Sequence, residues 1–175
     1  EVYSPHAPGT EADGPLDARM DRSGGRSAAD LVNDLPEDEL REIIREFGEE
    51  RSAGRIARAI IHERGRGRIM TTLRLADIVS RVQGGRRGRI HPATLTFQAL
   101  RIAVNGELEL IEKALEAGLG LLSPGGRMAV ISFHSLEDRL VKLCFRAHAG
   151  SYKSLEGGGR EFRFRRPLVA VATKK

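Results

Sequence analysis

Leu121-Leu-Ser-Pro-Gly-Gly-Arg-Met-Ala-Val-Ile-Ser-Phe-His-Ser-Leu-Glu-Asp-Arg139 is the stretch whose reading sets the fold class. It reads as the end of a helix, a tight turn at Pro124-Gly125-Gly126, a short buried strand over 128–133, and a polar loop opening another helix. Val130 and Ile131 centre the apolar run, a composition suited to a strand covered on both faces. His134, Ser135, Glu137, Asp138 and Arg139 follow at once. Polar groups just past the carboxyl end of a buried strand are where an open α/β sheet places its ligand crevice. The same residues also fit a plainer description, a helix-to-strand connection and then a helix capped by Ser135 and Asp138.

Outward from that strand the pattern is mainly helical. Residues 107–122 are the most periodic, with Leu108, Ile111, Leu115, Leu119 and Leu122 inward, and the helix after the strand, to about 147, buries Leu136, Leu140, Leu143 and Cys144. Upstream, Pro92 opens a helix over 93–104 that Asn105-Gly106 ends, and Thr71 or Thr72 caps another over 73–82 that stops at Gly84-Gly85. A helix is expected over 49–64. Pro36, at a first helical position, opens 37–47, with Leu40, Ile43, Ile44 and Phe47 on one face and Gly48 closing it. Ser27 with Asp30 resembles a capping box ahead of 28–33. Residues 1–26 show no period and read as loop; 152–159 is a glycine-rich loop; and 161–173 alternates as a bent strand or hairpin with Pro167 at the bend. The sum is a helical lobe over roughly 27–88, then helix–strand–helix–strand, which is part of an α/β sheet.

The 175 residues suffice for one domain or a core with a small lobe, and 40% hydrophobic with 30% charged residues is a globular composition. No apolar run approaches the roughly 20 residues that span a bilayer, so no membrane partner is expected. Cys144 is the single cysteine, which points to a packing role in a reducing, cytoplasmic setting. The net charge is +5 and 24 of the 29 basic residues are arginine. Arginine binds phosphate in bidentate fashion, so this bias suits nucleic acid, although a high-GC genome produces it too.

The five histidines are read as pairing at ligand spacing neither with one another nor with Cys144, and no metal centre is expected. No Walker loop is present, and Ser132 and Ser135 beside His134 do not make a hydrolytic triad. Three polar segments carry the chemistry instead: 13–21, 89–105 and 132–139. In the second, His91, Thr94, Gln98, Arg101 and Asn105 recur every three or four residues as a polar helix stripe, which a solvated face would also explain.

These segments resemble the signature blocks of the RsmH (MraW) family, bacterial S-adenosylmethionine-dependent methyltransferases. The blocks are Asp13-Gly-Pro-Leu-Asp-Ala-Arg-Met-Asp21, Ala28-Ala-Asp30 with Phe47-Gly-Glu-Glu50, His91–Asn105, and Pro124–Arg139. The resemblance covers about 13–146. It implies a partial Rossmann-like class I methyltransferase core with an inserted all-helical subdomain: 1–26 as a loop and core remnant, 27–88 as the insertion, 89–175 as the later core. It also implies S-adenosyl-L-methionine as cofactor, and as substrate the N4 amine of a cytidine in the decoding region of 16S rRNA, in the small ribosomal subunit. The family's glycine-rich cofactor loop and its acidic residue after the second strand are not found, and Leu95 stands where the family usually has arginine. The chain therefore reads as a fragment, with His6 in a loop similar to one at the family's cofactor site.

An exocyclic amine needs a hydrogen-bond acceptor when it attacks a methyl group. On that ground His134 is the first catalytic candidate, as a positioning or proton-accepting group. Asp17 and Asp21 follow, as acceptors for the amine or for supporting arginines, with Arg19 as phosphate ligand or support. RNA phosphates are expected at Arg86, Arg87 and Arg89, at Arg51, Arg55 and Arg58, and at Arg101 and Arg139. A non-catalytic RNA-binding module, or a fragment that folds only with a partner, are the rival readings.

Overall fold

A computed structural model describes residues 13–84, 91–150, 168–171 and, for the backbone alone, 152–154 and 160–162. The chain forms two compact units, Glu1–Gly106 and Glu107–Lys175. Each is described by itself.

The first unit contains five helices: α1 (Ala28–Asp34), α2 (Glu37–Gly48), α3 (Ala53–Arg64), α4 (Thr72–Gln83) and α5 (Thr94–Asn105). Their starts follow local chemistry. The Ser27 hydroxyl accepts from the Asp30 N–H while the Asp30 carboxylate accepts from the Ser27 N–H at 2.8 Å, completing the expected capping box. Glu37, Asp38 and Glu39 place negative charge at the start of α2, where the helix dipole favours it. Thr71 caps α4 through the Arg74 N–H. Helix α3 starts four residues later than its period suggested, because the Glu50 carboxylate accepts from the Ser52 N–H at 2.7 Å and holds the preceding turn open. One continuous core results, with Leu40, Ile44, Ile56, Ile60, Leu75 and Leu100 fully buried. Helix 94–105, which the sequence assigned to the later core, belongs to this unit and packs on α2 and α1.

Gly48 is the last residue of α2, and it is Glu49, at φ 50°, that takes the left-handed position beyond it. Gly48 is therefore required for its missing side chain. A Cβ there would stand 2.7 Å from the Leu95 carbonyl oxygen and 3.3 Å from the Ala99 Cβ on α5.

Residues 13–17 are held loop rather than free chain. Pro15 pairs with Thr71 in an isolated antiparallel bridge, with Leu16 N–H donating to the Met70 carbonyl and Thr72 N–H to the Gly14 carbonyl, both at 2.9 Å. The Asn33 side chain clamps the strand-like partner: its amide N–H2 donates to the carbonyls of Ala29 and Ile69, and its oxygen accepts from Ile69 N–H at 2.9 Å. The Leu16 and Asp17 carbonyls then accept from the Ala29 and Ala28 N–H groups at the start of α1.

The second unit holds α6 (Glu107–Leu121), α7 (Ser135–His148) and a short antiparallel pair, β1 (Tyr152–Ser154) with β2 (Arg160–Phe162), in the register Tyr152 opposite Phe162. The expected buried strand over 128–133 does not form. Its backbone has no strand partner among the described residues, and Ile131 and Phe133 are each 82% exposed. A strand exists only by pairing, and apolar composition supplies no partner. In α6 only Leu115 is fully buried, with Leu108, Ile111, Leu119 and Leu122 half-buried; in α7 Leu136 is buried, but Leu143 is 54% exposed. The expected strand over 161–173 is confined to β2 as far as described, and Leu168 and Val169 instead donate to the His148 carbonyl at the end of α7.

Candidate functional site

In the first unit, the loop 17–25 is built around one ion pair. Arg19 meets Asp17 in bidentate fashion, Nε to Oδ1 at 2.6 Å and Nη2 to Oδ2 at 3.0 Å, and its Nη1 reaches the carbonyls of Gly24 and Gly25. The Arg19 guanidinium holds the Asp17 carboxyl below the usual carboxylate range. Arg22 stands 3.8 Å from the same carboxylate. Asp17 is thus committed to its arginines. Asp21 is exposed; its Oδ1 accepts from the Ser23 N–H at 2.9 Å, and hydrogen bonding from Ser23 keeps its carboxyl ionised to a lower pH than usual.

Asn105, the last residue of α5, ties this loop down. Its oxygen accepts from Met20 N–H at 2.8 Å, and its N–H2 donates to the Ala18 carbonyl at 2.9 Å and to its own helix at Arg101. Ala18 has φ 64°, a strained position for a residue with a Cβ, and the Asn105 clamp spans it. The first and third family blocks are therefore joined by direct hydrogen bonds. The α5 stripe is half-buried and turned onto the protein: Gln98 Nε2 donates to the Phe47 carbonyl and His91 Nδ1 accepts from Ala93 N–H. Arg101 is half-buried in the same stripe.

In the second unit, His134 and not Ser135 is the N-cap of α7. Its Nδ1 accepts from the Glu137 N–H at 3.4 Å, while Glu137 Oε2 accepts from the Phe133 N–H at 2.7 Å. Ser135 is then the first helical residue, and the expected Ser135–Asp138 cap is replaced by a one-residue shift; Asp138 pairs with Lys142 at 2.7 Å. Because Nδ1 spends its lone pair on the cap, the neutral ring carries its proton on Nε2. Nε2 is buried, 3.3 Å from Glu137 Oε1, and without a well-formed hydrogen bond. Ligand-type atoms of Glu107, His134 and Glu137 lie within 4.8 Å of one another. His134 thus presents a buried donor and no open acceptor.

Of the expected phosphate contacts, Arg51, Arg55 and Arg58 are exposed at the start and along one side of α3, with Arg55 donating to the Ser52 hydroxyl and Arg58 3.6 Å from Glu37. Arg139 is exposed on α7. Arg86, Arg87, Arg89 and His6 lie outside the described residues. Other arginines are structural: Arg64 donates to the carbonyls of Val32 and Leu35, closing α1, and Arg74 to those of Arg68 and Glu63. Two groups escaped the sequence reading. Asn33 sits in an ordinary helical segment with no signal of its own. Cys144 and His148 are four residues apart on α7, which corrects the expectation that no histidine stands at ligand spacing from Cys144.

A cavity of about 220 Å³ lined by Ala59, His62, Glu63, Ile78, Arg81 and Val82 is below the roughly 300–1,000 Å³ of small-molecule sites, and contains none of the candidate catalytic residues. Among the described residues no helix is long and apolar enough to cross a membrane.

The three polar segments thus form an aspartate-rich loop clamped to a helix stripe in the first unit and a His-capped helix start in the second. Residues 10–157 match the MraW methylase family, and the chain belongs to that family. It is 60% identical over 139 residues to ribosomal RNA small subunit methyltransferase H of Methylobacterium nodulans, covering 79% of this chain and 41% of that protein. To the protein of the same name from Trichlorobacter lovleyi it is again 60% identical, covering 78% and 44%. To that of Syntrophotalea carbinolica it is 52% identical over 167 residues, covering 94% of this chain and 53% of the relative. The chain thus spans about half the length of the curated relatives it matches.

Proposed function

We propose that this chain serves S-adenosylmethionine-dependent methylation of the N4 amine of a cytidine in the decoding region of 16S rRNA, in the cytoplasm, on the small ribosomal subunit. In this reading residues 27–88 form a helical insertion in a Rossmann-like class I methyltransferase core. The observation that carries the reading is the Asn105 clamp. It spends two hydrogen bonds fixing the Ala18–Met20 turn, between two carboxylates, in a family whose curated members are named as ribosomal RNA methyltransferases.

S-adenosylmethionine supplies the electrophilic methyl group when bound. The residues of this chain hold the RNA and manage the proton. The cytosine amine is a weak nucleophile, because its lone pair is delocalised into the ring, and it needs an acceptor for a hydrogen. Asp21 is that acceptor: it is exposed, and Ser23 holds its carboxylate in place by side-chain and backbone hydrogen bonds, ready to take an amine hydrogen. Asp17 and Arg19 stiffen the loop that presents it. Such positioning is worth up to roughly 7–11 kcal/mol of barrier in favourable cases. The base must first leave its stack, and Arg51, Arg55 and Arg58, with Arg86, Arg87, Arg89, Arg101 and Arg139, supply the phosphate contacts that make this affordable. His134 acts as a positioning residue: its Nδ1 caps the start of α7, and its Nε2–H, 3.3 Å from Glu137 Oε1, orients the ring and that carboxylate.

In a complete methylating system, His134→Asn is expected to lower kcat at least about tenfold, since asparagine keeps the N-cap but removes Nε2–H. The Tm and the KM for small subunits stay near the parent values. A kcat within twofold of the parent would remove His134 from the mechanism.

A second reading, a non-catalytic RNA-binding module, is favoured by the small cavity described above. Calorimetric titration of the chain with S-adenosylmethionine separates the two. Saturable binding is expected, and no detectable heat with retained rRNA binding would transfer the reading to the RNA module.

A further inference from the structure

The second unit brings three side chains of different metal-ligand character together, away from the residues discussed so far. Cys144 and His148 share one face of α7, and Glu116 on α6 meets them. Cys144 Sγ lies 3.9 Å from Glu116 Oε1 and 3.8 Å from His148 Nδ1, and His148 Nε2 lies 3.4 Å from Glu116 Oε2. One ligand atom from each lies within 4.8 Å of the other two. A tetrahedral zinc ion with bonds of about 2.0–2.3 Å sets its ligands roughly 3.3–3.7 Å apart. The cluster is within about an ångström of that spacing.

The histidine tautomer is the telling feature. His148 Nδ1 is 2.9 Å from the Cys144 carbonyl oxygen. A carbonyl only accepts, so Nδ1 carries the proton and Nε2 presents a lone pair. That lone pair faces the Glu116 carboxylate, which is also an acceptor. Two acceptors at this distance require a proton or a cation between them. An imidazole whose Nδ1–H is tied to a backbone carbonyl is also how protein scaffolds orient a metal-bound histidine. The Cys144 thiol donates toward Glu116 Oε1; burial, and then the Glu116 charge, push it above the usual thiol range, and a bound cation reverses the second of these.

We propose that Glu116, Cys144 and His148 bind a divalent transition-metal ion of the zinc class through Cys144 Sγ, His148 Nε2 and a Glu116 oxygen, with a fourth position open to water. A thiolate–imidazole–carboxylate set selects zinc-like ions over magnesium and calcium, which prefer oxygen ligands. Binding releases the Cys144 thiol proton to solvent, with no change of oxidation state. The site lies about 20 Å along α7 from His134 and links α6 to α7, so it is independent of the methylation reading.

The test uses the full chain, reduced and stripped of metal. On titration with cobalt(II), a thiolate-to-metal charge-transfer band and tetrahedral ligand-field bands are expected, both removed by one equivalent of zinc. Cys144→Ser abolishes the charge-transfer band, and His148→Gln and Glu116→Gln each weaken zinc binding at least about tenfold in competition with a chromophoric chelator. Glu116 is 63% exposed, so Glu116→Gln leaves folding intact and keeps the test decisive if the other variants misfold. Cobalt binding without a thiolate band, or zinc affinity in Glu116→Gln within twofold of the parent, overturns the proposal.

Discussion

Gly48→Val is expected to lower the melting temperature of the first unit by on the order of 15 °C, followed by circular dichroism at the helix band. The Cβ alone would stand 2.7 Å from the Leu95 carbonyl oxygen. That oxygen belongs to the α5 backbone and cannot rotate away, so α2 and α5 must separate. Overpacking of this kind costs about 3 kcal/mol, and each kcal/mol moves the Tm of a domain this size by roughly 4–8 °C. The α2–α5 contact is the largest helix pair in the unit, and it carries Gln98 to the Phe47 carbonyl, so the strain spreads to the stripe that ends at Asn105. Gly54→Ala is the control. Its Cβ would meet only the flexible Arg41 side chain at 3.6 Å, and alanine in a helix interior gains about 0.5–1 kcal/mol over glycine. Equal melting temperatures for Gly48→Val and Gly54→Ala would show that α2 and α5 do not approach closely.

Asn33→Ala is expected to destabilise the unit by about 2–4 kcal/mol, because it leaves the N–H and C=O of Ile69, a residue with no exposed surface, without partners. The loss falls where function needs rigidity. Ile69 precedes the Met70–Thr72 segment that bridges to Gly14–Leu16, and that loop continues into Asp17, Arg19 and Asp21. Amide hydrogen exchange should therefore quicken at Ile69 and Leu16 more than at Leu115 in the other unit. Uniform exchange rates at these positions, with unchanged stability, would sink the claim that Asn33 anchors the loop.

These two residues mark the limit of what could be read from the chain. The Ser27–Asp30 capping box was legible because both partners lie within four residues and its chemistry is local. Helices α2, α4 and α5 were legible for the same reason, through their apolar period and the glycines or acidic residues at their ends. Gly48 was noticed as a helix stop, but its real role depends on Leu95 and Ala99, about fifty residues away. Asn33 gave no signal, since an asparagine in a helical segment is neutral until Ile69 is placed beside it. His134 was singled out correctly as a residue of interest, yet its capping role and buried Nε2 followed from a one-residue shift in where α7 begins. The Cys144–His148 spacing was visible in the sequence; Glu116, which gives it meaning, was not.

The sequence by itself determined the family, through long motif blocks in fixed order, and most of the helices, through periodicity and capping. It could not decide the stretch 121–139. Its apolar residues 128–133 have strand composition, but a strand needs a hydrogen-bonded neighbour, and the described structure leaves Ile131 and Phe133 exposed. Tertiary structure alone decided that Asp17 is committed to Arg19, that Asn105 clamps the loop carrying Asp21, and that His134 caps a helix. The Asn105 clamp joins residues 85 positions apart, and the other two, though local, turn on the loop conformation and the helix start that residue order leaves open.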